Sequence, residues 1–116
     1  MESLAGALSA LEPLVLHLCQ QATIDVDAYR RHVDLLEGHE ELRAREALKH
    51  QYMAKELAAA LVAHGAPPAV ATTAAQLAVA CYSSGRILAT TPGDLVSETR
   101  SVFSSLLEMK ATTVGA

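Results

Sequence analysis

The chain has 116 residues, 51% of them hydrophobic and only 3% aromatic, and its 9 basic and 13 acidic side chains give a formal charge of −4. That length suits one domain with one core and excludes two domains of ordinary size. A core of small and branched aliphatic side chains suits closely spaced helices better than sheet, so the fold predicted is all-α. No basic run is longer than Arg30-Arg31, which excludes a phosphate-neutralising stripe and, for this chain alone, DNA binding.

The first predicted helix covers about Glu2 to Gln21, because Leu4, Leu8, Leu11, Val15, Leu18 and Ala22 recur at three-and-four spacing. Pro13, together with the possible capping box Ser9-x-x-Glu12, predicts a kink there, the alternative being two separate helices. Thr23-Ile24-Asp25 supplies N-cap oxygens for a short second helix with the stripe Val26, Tyr29, Val33 and Leu36, closed at Gly38. A third helix runs from His39 or Glu40 to His64. It starts polar, with Glu41/Arg45 and Glu46/His50 one turn apart, and becomes apolar through Met53, Leu57, Ala60 and Leu61.

Gly65 followed by Pro67-Pro68 is a strong stop-and-restart signal. The fourth helix, Pro68 to about Thr90, has Val70, Ala74, Leu77, Cys81, Gly85 and Leu88 on one face and Ala71, Ala75, Ala78 and Tyr82 on another, with no charge before Arg86. Thr91-Pro92-Gly93-Asp94 opens a fifth helix that runs to about Lys110, with the rows Leu95, Val102, Leu106, Met109 and Val96, Phe103, Leu107. Residues 111–116 are expected to fray as a tail without an anchor.

Helices four and five present more apolar surface than one small layer of five helices encloses. The economical expectation is a homodimer in which they form a four-helix bundle with their copies, through Ala71, Ala75, Ala78, Tyr82, Val96, Phe103 and Leu107. The alternative is a monomeric bundle with helix four simply central.

Cys19 and Cys81 have no metal-ligand spacing and are expected as buried, reduced thiols. The start of the chain lacks a basic signal-peptide region and the longest uncharged stretch is broken by His64-Gly65-Ala66-Pro67-Pro68, so a soluble, cytoplasmic protein is expected. No phosphate loop, nucleophile elbow or zinc-protease motif occurs, and the five histidines show no i,i+4 pairing with one another. Catalytic residues, metal and cofactor are therefore all expected to be absent. His39 and His50 are expected in solvent and His64 at a helix end.

Polar groups set in apolar faces carry more information, because an unsatisfied buried polar group costs roughly 1 to 3 kcal/mol. His17, Gln21, Tyr29, Tyr52, Gln76 and Ser84 are the candidates to line a mostly apolar small-molecule cavity, with His32 and Ser83 beside them.

The strings Tyr29-Arg30-Arg31-His32-Val33-Asp34-Leu35-Leu36 and Glu41-Leu42-Arg43-Ala44-Arg45-Glu46, the Gly65-x-Pro67 break, the alanine-rich fourth helix and the final Leu95 to Met109 helix resemble the C-terminal domain of TetR/AcrR-type regulators over nearly the whole chain. This chain carries Gly38-His39-Glu40 where many relatives have proline. The resemblance implies an effector-binding and dimerisation domain of a transcriptional regulator, a repressor by expectation, with a pocket among helices one, three and four. Contact with DNA would come only through an N-terminal helix-turn-helix domain that this sequence lacks. The competing readings are a stand-alone helical dimerisation or adaptor module without a ligand, and a small helical enzyme or metal protein.

Overall fold

The computed structural model describes residues 2–115, with side chains for residues 2–109, and consists of five α-helices and one 3-10 turn. Ser3 starts α1 (Leu4–Ala22), its hydroxyl accepting the Gly6 amide at 3.0 Å. The helix is continuous through Pro13, so the possible start at Ser9 is unused. It ends where the Thr23 hydroxyl donates to the Cys19 carbonyl at 2.9 Å. The buried stripe is Ala7, Leu8, Leu11, Val15 and Cys19; Leu18 and Ala22, expected in it, are exposed.

Asp25 caps α2 (Val26–Gly38) by accepting the Ala28 amide at 3.0 Å. Extended backbone at His39 separates it from α3 (Glu40–Ala63), whose first turn carries Glu40 and Glu41 against the positive end of the helix dipole. Arg43 reaches back from α3, its Nη1 donating to the carbonyls of Leu36 and Glu37 at 2.9 and 2.8 Å, and so satisfies the open end of α2.

The close of α3 is a Schellman motif. Gly65, at φ +100°, donates to the Val62 carbonyl, and Ala66 donates to Leu61, both at 3.0 Å. Leu61 and Ala66 are both buried there, the apolar contact that accompanies such a cap. The His64 ring supports the same end, with Nδ1 2.8 Å from the Ala60 carbonyl.

Helix α4 (Pro68–Leu88) packs against α1, α3 and α5, which accounts for an interior free of charge until Arg86. Helix α5 (Leu95–Gly115) follows the 3-10 turn Pro92–Asp94 and continues past the expected stop near Lys110. The expected fraying of residues 111–116 concerns side chains, and residue 116 itself, that lie outside the described residues. At the α4–α5 crossing a Cβ on Gly85 would collide with the Thr99 hydroxyl and lie 3.0 Å from the Thr99 Cα, so glycine is what permits the backbones to approach. The Cys19 thiol donates to Thr99 Oγ1 at 3.6 Å, which brings α1 to the same point.

This packing changes the account of the apolar surfaces. Ala71, Ala75, Ala78 and Phe103, expected against a second copy, are fully buried within one chain, and Tyr82, Val96 and Leu107 are half-buried. Their burial therefore requires no second copy. The outward row of α4 is instead Thr73, Gln76, Ala80, Ser84 and Ile87, at three-and-four spacing and without a charge. Both cysteines are free and buried. Among the described residues there is no strand, and no helix is long and apolar enough to cross a membrane.

Candidate ligand-binding cleft

Helix α2 has one buried side chain, Leu36, and packs mainly on α3 and the 3-10 turn. It therefore stands off from the α4 hub, and between α2, α3 and the end of α4 lies an open cleft of about 810 Å³. That volume is within the range of small-molecule sites, roughly 300 to 1,000 Å³. Tyr29, Val33 and Leu36 form its α2 wall, Arg43, Glu46, Ala47 and His50 its α3 wall, and Ser83, Arg86, Ile87 and Pro92 the third side. On α3 the spacing 43, 46, 47, 50 is the reason one face carries all four.

Glu46 is the centre of the polar wall. Its Oε1 accepts from Arg86 Nη1 at 3.3 Å and lies 3.4 Å from His50 Nε2, while Oε2 lies 3.7 Å from His32 Nε2 on α2. The side chains of Glu46, His50 and Arg86 are each only 16% exposed, so the pair is shielded from water more than a surface salt bridge is. Tyr82 closes the cluster from α4: its ring meets His50 edge-on at 5.5 Å and has the Arg86 guanidinium 5.8 Å from its centroid.

Burial pushes the His50 pKa below 6.5, with Arg86 and Lys49 acting in the same direction and Glu46 opposing them. His50 is thus neutral at pH 7. Burial likewise raises the Tyr82 phenol above its usual value of 10, against the lowering effect of Arg86. The neutral His50 ring and the Tyr82 phenol thus flank the Glu46–Arg86 pair.

Of the six polar residues expected to line a pocket, Tyr29 alone lines this cleft. His17, Gln21 and Gln76 are exposed, Tyr52 is 59% exposed, and Ser84 is half-buried on the outward row of α4. The cleft also lies elsewhere than among helices one, three and four. Core side chains such as Leu11, Val15, Ala54 and Ala75 pack together in a single cluster there.

Glu46, His50 and Arg86 are the residues that sequence reasoning missed. The i,i+4 pair Glu46/His50 is visible in the sequence, but its polar surroundings there point to the solvated end of α3 and to a solvent-facing His50 ring. The first charge of α4, Arg86, was the signal that a burial boundary had been reached there and that an acid should face it. Among the described residues no group of three His, Cys, Asp or Glu side chains could hold a metal ion. Neither a family model, nor a curated protein, nor a solved structure matches this chain.

Proposed function

We propose that this chain is the effector-binding and dimerisation domain of a TetR-type transcriptional regulator, sensing a small, mostly apolar molecule in the cleft between α2, α3 and the end of α4. The carrying observation is the cleft itself: about 810 Å³, with the aliphatic side chains Val33, Leu36, Ala47 and Ile87 set beside Glu46, His50, Arg86 and Ser83, and with Arg30, Asp34, Glu37 and Arg43 also on its lining. Two of the residue strings that resemble the family lie on elements that build it, Tyr29 to Leu36 within α2 and Glu41 to Glu46 in the first turns of α3. Helix α2, with one buried side chain, is the wall that a ligand would shift or fix, and a regulator uses such a shift to favour one setting of its reading heads.

Dimerisation is assigned to the outward, uncharged row of α4, with Ala80 at its middle, in place of the buried alanines. Thr73, Ala80 and Ser84 are small enough to let a second backbone come close.

A thermal-shift screen of small apolar acids, amines and alcohols tests the ligand half of the proposal, on wild type and on Ala47→Trp, which fills the cleft from its α3 wall. A compound that raises Tm in wild type and loses its effect in Ala47→Trp is the result expected. Compounds that stabilise both proteins equally, or none that stabilises wild type, would contradict it.

A further inference from the structure

The polar wall of the cleft holds more hydrogen-bond donors than its own acceptors use. Arg86 has five N–H groups, and a single nitrogen, Nη1, meets Glu46 at 3.3 Å, long for a charge-assisted bond. Arg43 uses Nη1 on the end of α2, and Arg30, also on the cleft, forms no ion pair among the described residues. Acceptors are scarcer. Of the three carboxylates on the lining, Asp34 and Glu37 are exposed on α2, and Glu46, the one that is not, already has Arg86, His50 and His32 around it. The hydroxyls of Thr90 and Thr91 are turned to Asp94 Oδ2, each at 3.0 Å. Among the described residues no buried side-chain N or O lacks a partner, so the unused donors are open to solvent and to a ligand.

Beside this donor surplus the wall is aliphatic. Ile87, adjacent in sequence to Arg86, is 83% exposed, and Val33, Leu36 and Ala47 line the same cleft. Resting on the reading of this cleft as a ligand site, we infer that its ligand is an amphipathic monocarboxylic acid. The aliphatic chain lies along Val33, Leu36, Ala47 and Ile87, and the carboxylate binds the Arg86 guanidinium in place of Glu46. A carboxylate offers two oxygens to a planar fork of donors, the match that makes arginine the usual partner of such groups. The displaced Glu46 gives up its guanidinium partner and keeps the rings of His32 and His50 within reach. An ammonium group would find Asp34 and Glu37 only at the exposed α2 edge, and the one shielded carboxylate, Glu46, already surrounded. An alcohol would use the donors poorly.

The test is calorimetric titration of the full chain with octanoate, octylammonium and 1-octanol, which share a chain length and differ in head group. It is repeated on Arg86→Gln and Glu46→Gln after circular dichroism has shown each to be folded. Octanoate should bind more tightly than the other two, Arg86→Gln should weaken it by about tenfold or more, and Glu46→Gln, which removes the competing carboxylate, should strengthen it. Octanoate that binds no better than 1-octanol, is indifferent to Arg86→Gln, or is weakened by Glu46→Gln overturns the acid class while leaving the cleft as a binding site. Binding of none of the three probes overturns the class as well, and the Ala47→Trp screen then decides separately whether the cleft binds anything. The wild-type comparison of the three head groups stands even if a variant fails to fold.

Discussion

Cys81 shows how burial sets the chemistry of single side chains in this fold. Desolvation, with Glu12 adding to it, pushes its thiol up to about 11, and burial raises Cys19 as well. The thiolate is the reactive form. Neither cysteine should therefore react with a thiol reagent at pH 8 while the chain is folded, and both should react in denaturant. Labelling followed by mass spectrometry checks this, and rapid native labelling of Cys81 would count against the packing of α4. His50 supplies a second prediction with a definite sign. Its folded pKa lies below the 6.5 of the unfolded chain, so the unfolded state takes up the proton first as pH falls. Its contribution to stability is intact above pH 6.5 and declines below it until the folded pKa is passed. Urea midpoints measured over this range should fall less with acidification in His50→Gln than in wild type; equal slopes would place His50 in solvent.

At the scale of elements, the α4–α5 crossing depends on Gly85. An added methyl group must push against the Cα and Cβ of Thr99, both at 3.0 Å, and neither can rotate away. Gly85→Ala should cost about 1 to 3 kcal/mol by overpacking, read from denaturant midpoints. Thr99→Ala should rescue it only in part, because the hydroxyl goes and the Cα and Cβ stay. Full rescue would mean that the two backbones are further apart than described. The helices themselves were legible in the sequence. Gly65-x-Pro67 fixed the α3–α4 boundary through a left-handed glycine, Asp25 marked the start of α2, and the charge-free run of α4 announced burial on several sides. What periodicity does not contain is which neighbour covers a face. The row Ala71, Ala75, Ala78 could equally meet α1, α3 or another copy, and only the tertiary arrangement, with α4 as the hub, assigns it to the chain's own core. The cleft was hidden for the same reason. Glu46 and His50 look like a solvated pair until α2 and the end of α4 bring His32 and Arg86 to them from residues 14 positions before Glu46 and 40 after it.

For the whole molecule, the regulator reading requires two copies, because two reading heads must be held in register. The uncharged outward row of α4 from Thr73 to Ser84, with Leu88, 53% exposed, beyond it, is the surface assigned to that contact. A charge at Ala78 would be buried and would disturb the core whatever the oligomeric state; a charge at Ala80 lies on the free face and separates the two effects. Size-exclusion chromatography with light scattering, on wild type and on Ala80→Glu, is therefore the direct test. A wild-type mass of about twice the 12.2 kDa of one chain, and a folded monomer for Ala80→Glu, are expected. A wild-type protein that stays at 12.2 kDa at high micromolar concentration would contradict the regulator reading.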